Sequence, residues 1–224
     1  SSGCRPWPMP NERPVTREWL TRHPVEVAWD LIGCELYLIR DGSTVGGRIV
    51  ETEAYAGPMD PASHAARLSV ARQTMAGPPG IAYVYLSYGV HTMMNVVAHR
   101  EGEAGAVLLR ALEPLAGLEL MCERRGGVPV HRLAQGPGSL GQAMGIRLTD
   151  LGADVVSSPE WILVRGERHG PVLASPRIGI SKAVHARWRF FEHENPAVSR
   201  HRRGDPVDRA DLVQLIPPAG TPIE

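Results

Sequence analysis

The sequence predicts a single α+β domain in which helices surround a curved, mainly antiparallel, hairpin-built sheet. Three observations lead there. The dipeptides Asp41-Gly42 and Tyr88-Gly89 each separate two runs of strand length, as hairpin turns do. Segments at 24–33, 114–125 and 137–144 carry helical spacing with start or stop signals. The 224 residues, 43% hydrophobic, suffice for one well-filled core and are short for two.

Residues 1–15 open with a Ser-, Gly- and Pro-rich stretch expected to be a disordered tail, ahead of one domain over 16–216. Thr16 suits the cap of a first helical turn reaching Leu20. Pro24 suits the start and Gly33 the end of a second helix, with Val25, Ala28, Trp29 and Ile32 on its core face. Strands are expected over 34–40 and 46–55. The stretch 57–80 is read as loop with some helix. Strands follow at 81–87, 91–98 and 104–111, then a helix over 114–125. Residues 135–138 form a tight loop feeding a helix that ends near Met144. Short strands are expected at 161–165 and 177–180.

Composition excludes several classes. No window approaches 18 uninterrupted apolar residues, so no membrane span is expected. Cys4, Cys34 and Cys122 are odd in number and far apart, which fits neither a disulfide framework nor a zinc ligand set. A reducing, cytoplasmic setting fits best, and no metal or cofactor is expected. Net charge is zero, yet 24 residues are basic and Lys182 is the sole lysine. Arginine grips phosphate bidentately, although an Arg bias equally reflects a GC-rich genome. Lys182, Arg187, Arg189, Arg200, Arg202 and Arg203 thicken the basic charge toward the C-terminus.

Glu51, Glu53 and Tyr55 lie at i, i+2 and i+4, so they share a strand face unless a bulge intervenes. A solvent face and a carboxylate pair both fit that spacing; catalytic carboxyls of glycosidases sit roughly 5–10 Å apart. Arg110, midway along an apolar strand, suits either a buried ion pair or a site. Tyr83, Tyr85 and Tyr88, three of the five tyrosines, crowd beside one turn. Tyr88 at the tip is hard to bury and suits a wedge entering a base stack.

The ordered set 51–55 (Glu-Thr-Glu-Ala-Tyr), 61–65 (Pro-Ala-Ser-His-Ala), 77–80 (Gly-Pro-Pro-Gly), 83–89 (Tyr-Val-Tyr-Leu-Ser-Tyr-Gly) and 108–114 (Leu-Leu-Arg-Ala-Leu-Glu-Pro) resembles the alkyladenine (3-methyladenine, methylpurine) DNA glycosylase family. Matches at 136–138, 142–146 and 177–180 extend it, in family order, from about Thr16 to Ser199. The resemblance implies a repair enzyme that flips alkylated or deaminated purines out of double-stranded DNA. It would hydrolyse the N-glycosylic bond and leave an abasic site, with no lyase activity. Glu53 would deprotonate a catalytic water, assisted by Arg110. Tyr55, His64 and Tyr85 would sandwich the extruded base. Asn95 and Leu108 would stand at the pocket floor, Asn95 rejecting the 2-amino group of guanine. Tyr88 would fill the gap in the duplex, and Gly136, Gly138, Ser139, Arg177 and Lys182 would touch phosphates. A monomer associated with a bacterial nucleoid is expected.

The chain departs from the family pattern at Ser69–Arg72, at Ala76 and at Ser139, where a lysine is common; these positions bear on DNA affinity and lesion preference. Lys182, far in sequence from the other residues, argues against a Schiff-base lyase. Two other readings remain: a nucleic-acid-binding module without catalysis, in which Glu53 is idle, and a carbohydrate hydrolase needing both Glu51 and Glu53.

Overall fold

The computed structural model describes residues 13–223. A two-residue edge strand β1 (Arg13–Pro14) precedes helices α1 (Arg17–Leu20) and α2 (Pro24–Leu31). The first hairpin joins β2 (Glu35–Arg40) to the long β3 (Ser43–Ala56). A 3-10 turn at His64–Ala66 and helix α3 (Ser69–Met75) lead to the second hairpin, β4 (Ala82–Ser87) and β5 (His91–Val97). Then come β6 (Gly105–Ala116), α4 (Leu118–Arg124) and α5 (Pro137–Met144). Four short strands follow, β7 (Trp161–Arg165), β8 (Val172–Ser175), β9 (Arg189–Glu192) and β10 (Asp205–Pro206), and then α6 (Leu212–Leu215).

The sheet runs β1-β7-β2-β3-β6-β5-β4, and its ladders among the described residues are antiparallel. Strand β3 organises it. One edge lies along β6; the other is shared, with 43–48 on β2 and Glu51–Glu53 on β9. The α+β class expected from the sequence is therefore the one observed.

Helix α2 shows why local sequence suffices here. Pro24 pre-sets its first turn, and Glu26 accepts from the His23 amide at 3.2 Å. Val25, Ala28, Trp29 and Ile32 are buried as expected, and so are Val27 and Leu31. Thr52 Oγ1 donates to Ala28 O at 2.8 Å, which fastens β3 to the helix.

His23 caps this helix by accepting from Val25 N–H at 3.3 Å, which requires an unprotonated Nδ1. Burial first, and Arg100 second, lower its pKa from 6.5 to about 4. The folded state thus binds the neutral form. The stability this confers is complete above pH 6.5 and is lost as pH falls from 6.5 through 4. Relative to His23→Asn, which caps without titrating, the native chain should lose up to about 3 kcal/mol over that window. Urea unfolding at pH 7 and pH 4 checks this; parallel pH curves for the two proteins would count against it.

Several expectations are corrected. Residues 1–12 lie outside the described residues, but 13–15 are not a tail: β1 pairs with β7 and Val15 is buried. The domain also reaches past 216, since Ile223 packs on the core. The helix expected from 114 begins only at 118. Pro114 sits in β6 at a register slip opposite Gly46 and Gly47, where a residue without an N–H is tolerated. The chain then turns through Gly117 at φ +70°, a conformation in which a side chain would be strained. The 177–180 segment is irregular rather than a strand, while β8 and β9 were not foreseen. Arg189, one of the basic residues that thicken toward the C-terminus, is buried on β9.

Candidate active site

Opposed residues on antiparallel strands project from the same face. The register therefore builds a row across four strands: Glu53 opposite Leu108, Leu108 opposite Asn95, and Asn95 opposite Tyr83. Thr52 and Ala54, alternating with Glu53, face α2 and the main core. The row thus faces away from that core and lines a cavity of about 530 Å³. Tyr55, His64, Tyr85, Tyr88, Arg110 and Lys182 border the same cavity. The sequence-predicted catalytic and pocket residues accordingly meet in one place.

A bulge does intervene in β3. The β3–β6 register slips on both sides of Glu51, leaving Val50 and Arg110 without opposite partners. Ile49, Thr52 and Ala54 all face the main core, where strict alternation from Ile49 would have put Glu51 and Glu53, so the face changes at this slip. Glu51 and Glu53 nonetheless converge on Arg110, whose Nε donates to Glu51 at 2.8 Å and whose Nη1 lies 3.3 Å from Glu53. Burial opposes the Arg110 charge, but the adjacent Glu53 and Glu51 outweigh it and hold its pKa above the ordinary value.

The two carboxylates differ in what they have left to offer. Glu51 accepts from Arg110, from Arg189 Nε at 2.7 Å, and from Ser199 N–H and Oγ–H at 2.8 Å each. Burial raises its pKa, but Arg110 and Arg189 prevail and it is lowered overall. Glu53 accepts from Ile178 N–H at 2.7 Å and from the Tyr55 hydroxyl at 2.8 Å. A carboxylate has about four acceptor positions, so Glu53 keeps capacity for a further donor. Glu51 is an anchor, and Glu53 is the carboxylate at the cavity.

The aromatic wall is held in shape. The His64 and Tyr85 ring centroids lie 4.4 Å apart, and His64 Nδ1 is 3.0 Å from the Tyr83 hydroxyl. Burial, then Arg67, lowers the His64 pKa, which favours an uncharged ring at neutral pH. Burial pushes Tyr83 and Tyr85 up to about 12, and burial with the Glu53 charge raises Tyr55 well above its ordinary value, so all three stay neutral phenols. Asn95 Nδ2 donates to Tyr83 O at 3.0 Å, fixing its amide at the floor.

Tyr88 is 95% exposed at the hairpin tip. It sits at φ +50°, a strained conformation for a tyrosine, with Val90 N–H closing the turn onto Ser87 O at 3.1 Å. Helix α5 abuts this hairpin on β5, next to the tip. Gly141 packs against Thr92 O so closely that a Cβ would stand 2.0 Å from it, and Gly138 lies against His91. The Gly136-Pro137-Gly138 turn thus borders the Tyr88 side of the molecule, outside the cavity. Ser139 is engaged by Arg125 at 2.9 Å.

Two expectations change. Arg177 is not presented to phosphate; it is buried in an ion pair with Asp60. Lys182, remote in sequence, is exposed and borders the cavity, so distance along the chain does not argue against a lyase. Two participants escaped sequence reading. The Ile178 amide carries no side-chain signal, whereas Tyr83 was visible through its alternation with Tyr85. A larger groove of about 970 Å³ lies elsewhere, between Trp19 and Trp29. Arg22 and Arg168 stack on those rings at 4.5 and 3.5 Å, and its one half-buried carboxylate, Asp30, is already paired with Arg22 and Arg209.

Comparison with known proteins fits this geometry. The model of the methylpurine-DNA glycosylase family matches residues 18–196. The chain belongs to this family. A protein of Alkaliphilus oremlandii provisionally named 3-methyladenine DNA glycosylase is 39% identical over 83% of this chain and 98% of its own. Relatives with the same provisional name from Rhodopseudomonas palustris and Methanocella arvoryzae are 46% and 41% identical. They cover 79% and 85% of this chain and 83% and 98% of their own. Membership makes the chain a DNA glycosylase in class. Among the described residues no helix is long and apolar enough to cross a membrane, and no cluster of His, Cys, Asp or Glu suits a metal.

Proposed function

We propose that this methylpurine-DNA glycosylase family member is a monofunctional base excision enzyme. It removes alkylated or deaminated purines, such as 3-methyladenine, 7-methylguanine, hypoxanthine and ethenoadenine, from duplex DNA. The observation that carries the reading is a buried carboxylate with spare acceptor capacity, Glu53, beneath a cavity walled by uncharged rings.

A purine inside a duplex cannot reach such a cavity and must be extruded, which is easiest where damage weakens pairing. Tyr88, held outward by its turn, would occupy the vacated stack. Tyr55, His64 and Tyr85 then sandwich the base. N3- or N7-alkylation makes the base cationic, and each aromatic face attracts it by roughly 0.5–2 kcal/mol. A neutral His64 avoids repelling it. Asn95, its amide fixed by Tyr83, would meet the 2-amino group of normal guanine.

The water's oxygen bonds to C1′ while its proton passes to Glu53. The C1′–N bond breaks and its electron pair leaves with the purine. Carboxylate charge stabilises the oxocarbenium character between these events. The Tyr55 hydroxyl and Ile178 amide cover Glu53, which is 0% exposed, so the water must enter with the base or displace part of that cover. Arg110, tied to Glu51, keeps Glu53 oriented. Exposed Arg67 and Lys182 at the cavity edge, and the backbone N–H groups of Gly136, Gly138 and Ser139, would take phosphates. We place the protein, as a monomer, on nucleoid DNA in the bacterial cytoplasm.

Lys182 makes a bifunctional lyase the second reading. A Schiff-base lysine is activated by desolvation or a neighbouring cation, whereas Lys182 is exposed. Incubation with duplexes carrying hypoxanthine, ethenoadenine or 7-methylguanine should release base and leave strands intact until hot alkali is added. Borohydride should trap no covalent adduct. Nicked strands with a trapped adduct lost in Lys182→Ala would establish the lyase instead. Duplex binding without release of any such base would leave a binding module.

A further inference from the structure

Arg177 does something other than hold DNA. Its Nη1 and Nη2 donate to the two Asp60 carboxylate oxygens at 2.6 and 3.0 Å, and both side chains are 0% exposed. Nη1 also donates to Ala54 O at 3.0 Å. The guanidinium carbon lies 4.7 Å from the Tyr55 ring centroid and 5.1 Å from that of Trp188. Asp60 in turn accepts from Ala56 N–H at 3.2 Å and Ala62 N–H at 3.1 Å. The next residue after Arg177 is Ile178, whose amide holds Glu53.

Three walls of the cavity therefore meet at one buried ion pair. The end of β3 brings Glu53 and Tyr55, the loop after Asp60 leads to His64, and the 177–182 segment brings Ile178. Stability alone does not call for such a pair, because apolar side chains of similar volume usually serve as well or better. Arg177 Nε is even left buried without a partner. What apolar side chains cannot do is fix one carbonyl and two amides from separate segments in a single arrangement.

We propose that Arg177 and Asp60 form a positioning pair for base excision. The pair sets the Ile178 amide on Glu53 and backs the Tyr55 ring against the extruded base, acting through these groups without touching substrate. The proposal rests on the glycosylase reading above.

The test is single-turnover base release from a hypoxanthine duplex at saturating enzyme, alongside the half-saturating enzyme concentration and thermal unfolding. Either single neutralisation strands a buried charge, so the informative variant is the double Asp60→Asn/Arg177→Gln, with Arg177→Lys beside it. The folded double variant should keep its half-saturation within about threefold while its release rate falls about 30- to 100-fold, as misplacement near 1 Å does. Arg177→Lys keeps the charge but not the fork and should fall between. A folded double variant with wild-type release overturns the proposal and leaves the glycosylase reading standing. If the double does not fold, a folded Arg177→Lys with wild-type release overturns it equally. A wild-type chain that releases neither hypoxanthine nor ethenoadenine nor 7-methylguanine overturns the function and the positioning role with it.

Discussion

Glu53→Gln should bind lesion-containing duplex nearly as well as the native chain and release base about 1,000-fold more slowly, in the middle of the range for losing a general base. The substitution is close to isosteric, and its surroundings can adjust. The Gln oxygen can accept from Ile178 N–H, now 2.7 Å from Glu53. The Tyr55 hydroxyl can turn to accept from the new amide instead of donating. Arg110 loses one anionic neighbour but keeps Glu51 at 2.8 Å, so no buried cation is stranded. The variant can no longer accept a proton from water or oppose positive charge at C1′. Single-turnover release separates this from binding. A rate within tenfold of wild type would remove Glu53 as the base, and duplex binding with no base release by either protein would favour a module that only binds DNA.

The legible part of this site is the part written in side chains at strand spacing. Glu53 and Tyr55 on one strand, and Tyr83 and Tyr85 on another, declare a shared face through alternation. Whether Glu51 shared the role of Glu53 was not readable, because its anchors Arg110, Arg189 and Ser199 lie 59, 138 and 148 residues away. Arg177 was misread for the same reason. The resemblance implied a phosphate contact for Arg177, and its partner Asp60 is 117 residues earlier. Strand β9 was hidden because Arg189 and Glu192, both buried, break the apolar pattern that marks a core strand. Lys182 shows the converse error, since separation along the chain says little about separation in space. Sequence patterns report which face a residue occupies; buried ion pairs between distant segments choose which of those residues remain free to react.

Glu51→Ala should be the most damaging single substitution to the fold, costing about 3–5 kcal/mol. It would strand the Arg189 guanidinium, which is 1% exposed, and leave Arg110, 6% exposed, with Glu53 as its one carboxylate at 3.3 Å. The Ser199 amide and hydroxyl would also lose their acceptor. Against a typical total stability of about 5–15 kcal/mol, a loss of that size leaves a marginal or insoluble protein. Glu51→Gln keeps one acceptor and should lie between. Where it folds, it should release base within about tenfold of wild type, because Glu51 has no role at the reacting atoms. The pH dependence has a definite sign. The folded-state pKa of Glu51 lies below 4.5, so its contribution is present above 4.5 and is lost as pH falls through the lowered value. Urea unfolding of the three proteins at neutral pH measures the cost directly. A double change of Glu51→Ala with Arg189→Met should regain part of it, because one stranded charge is removed. The outcome that would sink this account is a Glu51→Ala protein as stable as wild type yet without activity. Both carboxylates would then be chemical, as in a carbohydrate hydrolase, and the division between an anchor and a base would be wrong.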